Sequence, residues 1–242
     1  MSNEEPSGGF FQFPLCLLAM PGSFEQAMGR VIDYGIVSFL DKTDIGWRED
    51  RKSRERAYEK AKNVIGFKGG NIETTISRSL EAIEFWESWR VSGRKTCDVR
   101  IRTDIAFDAQ NGEALTEREA RVLFGIYSAI GAKEYVKIGW LSIQCRAAGW
   151  LRTPPINGSG LPVGPIYPRG QIERTIGVLL DRNLVARITY NKGERYWSHR
   201  NTGEQLWGFV SQRKLKARQV RQARAARDAA ESAKILQAIA PQ

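Results

Sequence analysis

Apolar positions in this sequence recur mostly every three or four residues, the spacing that gathers them on one face of a helix. Phe24, Ala27, Met28, Val31 and Ile32 follow a capping box made by Ser23 and Gln26. Residues 48–62 are instead dense in both charge signs, with Glu55/Glu59 and Arg56/Lys60 four apart. They read as a solvated helix ending near Gly66. Asn71 caps a third helix with the stripe Ile72, Ile76, Leu80, Ile83 and Trp86, closed by Gly93. Phe85, Trp86 and Trp89 on it fit a core or a binding patch, the core being the commoner use of helical aromatics.

The period then changes. Val99 to Phe107 alternates apolar and polar residues, which predicts a strand or extended connector, and Asn111-Gly112 is a turn signal. A second capping box, Thr116 with Glu119, opens a helix carrying Ala120, Leu123, Phe124, Tyr127 and Ile130, stopped by Gly131. Tyr135–Ile138 reads as a short strand. Leu141, Cys145 and Ala148 mark a short helix ending at Gly149. A Pro/Gly-rich stretch, 151–167, follows. Pro168 stands at the N1 position of a helix running to about Arg182, with the stripe Ile172, Ile176, Leu179 and Leu180 and with Asn183 at its left-handed C′ position. Two alternating strands, Ala186–Tyr190 and Arg195–His199, flank the turn signal Asn191-Lys192-Gly193-Glu194. Leu206, Trp207, Phe209 and Val210 are expected to dock back onto the hairpin or the preceding unit. Residues 211–238 form one long alanine-rich helix.

The fold class expected is mainly α with a small β component (α+β). Its parts are a flexible leader (1–9), a helical N-terminal domain (10–96), a connector (97–114), a helix-plus-hairpin domain (115–210) and a basic helical tail (211–242).

Helix, short strand, helix, helix, hairpin is the order of a winged helix-turn-helix. Residues 115–200 resemble that family of DNA-binding proteins, most closely over Gln171 to His199 (QIERTIGVLLDRNLVARITYNKGERYWSH). That run is similar to a recognition helix, an exit into the first wing strand, and a basic wing. The sequence departs from the family in the long 151–167 stretch, where a short turn is usual. The resemblance implies that the helix after Pro168 enters the major groove. Gln171 and Arg174 then suit adenine and guanine edges, with Thr175 at the flank and Val178 against a thymine methyl. Arg169, Lys192 and Arg195 are expected to hold phosphates, with Arg187 on the first wing strand adding charge. The overall layout is loosely similar to replication initiators of phages and plasmids. A transcriptional regulator with a dimerisation domain at 10–96 fits nearly as well.

Charge sharpens this picture. The 242 residues carry a net +10. Residues 1–96 hold 14 basic and 14 acidic groups, residues 97–200 hold 15 and 10, and residues 201–242 hold 8 and 3. The excess lies entirely in the C-terminal part, as a polyanion partner would require. Between 213 and 227 the tail has seven cations and no acid: Arg213, Lys214, Lys216, Arg218, Arg221, Arg224 and Arg227. They suit phosphates without reading sequence. A solvated helix, or a weak dimer seam through Val220, Ala223, Ala230 and Leu236, are the plainer uses of that helix.

Candidate chemistry is sparse. One histidine, His199, and three scattered cysteines leave no zinc cluster and imply reduced thiols of a cytoplasmic protein. No phosphate-cradling loop and no nucleophile elbow occur. The carboxylate pairs Glu84/Glu87 and Asp104/Asp108 look like surface charge, and Phe67-Lys68-Gly69-Gly70 reads as a loop. The longest uncharged stretch, Pro6–Phe24, is broken by prolines and preceded by Glu4 and Glu5, so it reads as a buried segment and not a membrane span or signal peptide. The expected protein is therefore non-enzymatic, needs no cofactor or metal, and binds double-stranded DNA. A homodimer or a replication or transcription protein is a possible further partner. An acidic protein engaged by the same basic surfaces is the alternative.

Overall fold

The computed structural model describes residues 10–43, 46–65, 70–154, 164–191 and 193–239. The leader, Gly66, Phe67–Gly69, most of the Pro/Gly-rich stretch and Lys192 lie outside them, and so does the side chain of Leu236. Among the described residues there are eight α-helices and five strands. No described helix is long and apolar enough to cross a membrane.

The apolar run near the start enters the core. β1 (Phe10–Pro14) pairs antiparallel with β2 (Asp98–Arg102), Phe10 facing Arg102 and Pro14 facing Asp98. A short 3-10 helix, Leu15–Ala19, then buries Leu15, Cys16, Leu17 and Leu18 completely or nearly so. The Arg121 guanidinium, itself buried, donates to the Leu18 carbonyl (2.8 Å) and to Glu117 (2.7 Å). Phe13 meets Phe124 edge-to-face at 5.7 Å. Gly149 closes the approach from the far side. It sits at φ +87°, and a Cβ there would lie 2.7 Å from the Ala19 nitrogen.

α1 (Phe24–Thr43), α2 (Arg51–Ile65) and α3 (Ile72–Val91) form the N-terminal layer. The Asn71 side chain caps α3, as its position predicts. The buried face of α3 differs from the expected stripe. It is Ile72, Thr75, Ser79, Ala82 and Trp89, while Leu80 is exposed. The small residues Thr75, Ser79 and Ala82 are buried where α3 packs on α1, while Ile76, Ile83 and Trp86 are only half-buried. Arg78 on α3 pairs with the buried Asp33 of α1 at 2.8 Å.

β2 takes the first half of the alternating run. The second half, expected to be extended, is α4 (Thr103–Asn111), which ends on Gly112 in the left-handed region at φ +68°. Thr103, Ile105, Ala106 and Ala109 are its buried residues, so helical burial overrides a short alternation.

α5 (Glu117–Ile130) keeps both halves of its capping box and is buried along most of its length. α6 (Trp140–Ala147) crosses it closely at Gly125, where a Cβ would sit 3.0 Å from the Ala147 nitrogen. α7 (Arg169–Asp181) packs on both. β3 (Val136–Lys137), β4 (Ala186–Tyr190) and β5 (Glu194–Ser198) form an antiparallel sheet in the order β3-β5-β4. One apolar core runs from Phe13 through α1 and α5 to Ile172, Ile176, Leu179 and Trp197. The connector expected at 97–114 is thus built into this core through Val99, Ile101 and Ile105. α8 (Gly203–Ile239) docks by Leu206 and Val210 on Tyr196 of the sheet, and every residue from Gln212 to Lys234 is exposed.

Candidate nucleic-acid interface

α7 begins one residue later than the sequence suggests, with Pro168 as its N-cap. The helix ends in a Schellman turn. The Leu184 amide donates to the Leu179 carbonyl and the Asn183 amide to that of Leu180, with Asn183 at φ +54°. Ile172, Thr175, Ile176 and Leu179 face inward. Arg169, Gly170, Arg174 and Val178 are exposed and Gln171 is half-buried, so one edge of the helix is open to a partner. Arg174 donates to the Gly170 carbonyl at 3.2 Å, and Gln171 accepts from Arg118 at 3.5 Å.

Thr175 is a correction. It is 3% exposed, and its hydroxyl donates to the Gln171 carbonyl at 2.9 Å. At i+3 from Ile172 it belongs to the buried stripe, where a helical threonine satisfies its hydroxyl by back-bonding. It is out of reach of a base edge.

The β4–β5 hairpin packs beside α7. Tyr190 faces Glu194, leaving a three-residue turn in which Gly193 sits at φ +83°. Arg187 and Arg195 rise from the two strands and meet one carboxylate, Glu173 on α7. Arg195 lies 2.6 Å from it and Arg187 3.4 Å, with Arg169 at 3.9 Å. The Arg187 guanidinium also stacks over Trp197 and that of Arg169 over Trp140. Arg187 and Arg195 are less than a third exposed, whereas Arg169 is 59% exposed. Three arginines thus share one anion, leaving a net charge of about two at that spot. Hydrogen bonds to Glu173 orient Arg187 and Arg195, while Arg169 stays largely exposed.

A second acidic hub lies at the hairpin tip. Glu194 accepts from Lys137 (2.5 Å), Lys214 (2.8 Å) and the Tyr196 hydroxyl (3.0 Å). Those hydrogen bonds, the Lys137 one foremost, hold its carboxyl down at about 2. Lys214 of α8 is therefore tied to the hairpin, with its ammonium over the rings of Tyr190 and Tyr196. Arg213 lies over Tyr135. Arg218, Arg221 and Arg224 project from the exposed part of α8 and make no ion pair among the described residues.

Between α6, α7 and the hairpin lies a depression of about 430 Å³ bordered by Lys137, Trp140, Arg169, Arg195 and the acid Glu194. α6 starts there on Gly139 with no side-chain cap, so its first amide groups add positive potential. Glu173, Glu194, Lys137 and Trp140 were not foreseen as members of this surface. Only the Arg169–Glu173 spacing of four could have signalled the first hub from sequence. No group of three or more His, Cys, Asp or Glu suited to a metal occurs among the described residues. No family model, curated protein or solved structure matches this chain.

Proposed function

We propose that this chain binds double-stranded DNA in the manner of a winged helix-turn-helix, with α7 in the major groove and the β4–β5 hairpin against the flanking backbone. One observation carries the reading. The element order α5-β3-α6-α7-β4-β5, with the sheet order β3-β5-β4, buries one side of α7 and leaves the Gly170–Arg174–Val178 edge open beside a basic hairpin. A helix edge of that width suits the major groove, and arginine suits the guanine N7/O6 edge. The depression lined by Lys137, Arg169 and Arg195, with Glu194 as its one acid, keeps a net positive lining and the first amides of α6, which suit a backbone phosphate. The exposed cations of α8 extend the positive surface without adding base readout.

The test is selection of bound sequences from a random duplex library, followed by titration against salt. A recovered motif and an affinity that falls steeply with salt are the expected results. Arg174→Ala should cost about 1–3 kcal/mol at one base pair and relax preference there. Binding to duplex that stays in the millimolar range at about 50 mM salt, or ignores salt, overturns the reading.

A further inference from the structure

The face of α8 that looks toward the hairpin carries more than charge. Trp207, Ser211, Lys214, Arg218 and Arg221 are spaced four, three, four and three residues apart, so they form one strip along the helix. At its inner end Trp207 packs on Tyr190 of the hairpin, the ring centroids 5.2 Å apart. The indole nevertheless stays 48% exposed. Lys214, Arg218 and Arg221 then line a groove of about 850 Å³ between the hairpin and the helix, with Tyr190 and Asn191 on its other wall. Its one acid, Glu194, is already matched by Lys137 and Lys214. The groove thus has the Tyr190 ring on one wall, with the exposed Trp207 packed on that ring just beyond the lining, and on the other wall guanidinium groups that make no ion pair among the described residues.

We propose that this groove binds an unpaired strand of nucleic acid, with bases stacking at Trp207 and Tyr190 and phosphates lying along Lys214, Arg218 and Arg221. A duplex keeps its base faces inside its own stack and offers the groove only backbone. A single strand offers both a π-face and a phosphate, the combination that aromatic-plus-cationic grooves take without regard to sequence. The strip from Trp207 to Arg221 spans about 21 Å at the helical rise of about 1.5 Å per residue. That is the length of about six stacked nucleotides at about 3.4 Å each. The groove shares no residue with the exposed edge of α7; Arg218 and Arg221 also belong to the α8 surface that the duplex reading uses, so Trp207 is the residue that separates the two.

The experiment is fluorescence anisotropy of the full chain with labelled oligothymidylate, oligouridylate, a hairpin duplex and polyglutamate. Oligothymidylate or oligouridylate should bind. Trp207→Leu keeps an apolar side chain against Tyr190 but removes the ring. It should weaken single-strand binding fivefold or more while leaving duplex binding within about twofold. Trp207→Phe should retain most of the single-strand affinity. Arg221→Ala should weaken single-strand binding and reduce the steepness of its salt dependence by about one phosphate. The proposal is overturned if Trp207→Leu and wild type bind the single strands alike. It is also overturned if Trp207→Leu loses duplex and single strand equally, or if polyglutamate binds as tightly as the oligonucleotides. Loss of duplex selectivity with this pattern intact would count against the α7 reading alone.

Discussion

Protonating His199 should destabilise the fold, and because it is the only histidine in the chain the effect can be read directly. Its ring lies against Tyr127, centroids 4.9 Å apart, and its Nδ1 is buried with no hydrogen-bond partner among the described residues. Arg200 donates to Nε2 at 3.3 Å, so the neutral ring accepts there, and a second proton would place like charges in contact. Burial first, then Arg200 and Arg100, lower its pKa from 6.5 to about 4. A depressed folded value means the stabilisation is present above about 6.5 and is lost as pH falls toward 4. At 1.36 kcal/mol per unit, acidification from pH 7 to 5 costs about 2 kcal/mol. Solvent at the ring's open edge lowers that figure. Asp33 acts in the opposite direction. Burial, partly offset by Arg78 and Thr75, raises its carboxyl from 3.8 to about 6. Its stabilisation is complete below about 3.8 and is lost as pH rises through 6, so the same acidification returns about 1 kcal/mol. The wild type should therefore show a shallow pH dependence that conceals two steeper ones. Urea unfolding at pH 7 and pH 5 should show a fall of about 2 kcal/mol in Asp33→Asn. In His199→Phe, which keeps a ring against Tyr127, stability should instead rise on acidification. An imidazole titration by NMR with a midpoint near 6.5 would refute the reasoning outright.

Three further outcomes follow from the same contacts. Asp33→Asn should raise the melting temperature at pH 7 and lose that advantage below about pH 4, because it removes a buried charge and keeps an acceptor for Thr75; a lower melting temperature at pH 7 would show that the pair with Arg78 outweighs burial. Glu173→Gln frees Arg187 and Arg195 from their carboxylate, so duplex affinity should rise on all sequences and the salt dependence should steepen; weaker binding would mean that Glu173 serves chiefly to hold the arginines in place. Gly149→Ala should destabilise the fold by about 1–3 kcal/mol in urea, from left-handed backbone strain and a clash with Ala19; a change under about 0.5 kcal/mol would show that the 3-10 segment shifts freely.

What the sequence reveals divides by distance along the chain. The capping box at Thr116 and Glu119, the cap at Asn71, the left-handed Asn183 and the turn at Gly193 are all legible, because each is settled within a few residues. α4 is not, since a five-residue alternation fits a strand until Ala106 and Ala109 are known to face a core supplied by α1. The phase of α3 is missed for a related reason. Periodicity picks the bulkiest residues as the inner face, yet a close helix crossing selects Thr75, Ser79 and Ala82.

The candidate interface shows the same division with more consequence. Counting cations points to the surface proposed above but leaves out the carboxylates that share it. Arg187 and Arg195 lie 14 and 22 residues from Glu173, separations at which no local rule applies, and the hairpin fold brings all three together. Thr175 drops out because helical phase outranks polarity. What remains at the open edge of α7 is Arg174 with Gln171, backed by a cluster whose net charge is smaller than its arginine count. An edge with so few base-reading groups gains affinity mainly from backbone contacts. On the duplex reading proposed above, the exposed arginines of α8, unmatched by acid among the described residues, should therefore supply more of the binding energy than α7. Arg218→Ala combined with Arg221→Ala should weaken duplex binding alike on preferred and random sequences and flatten its salt dependence by up to about two phosphates. A loss confined to the preferred sequence would place base readout on α8 instead.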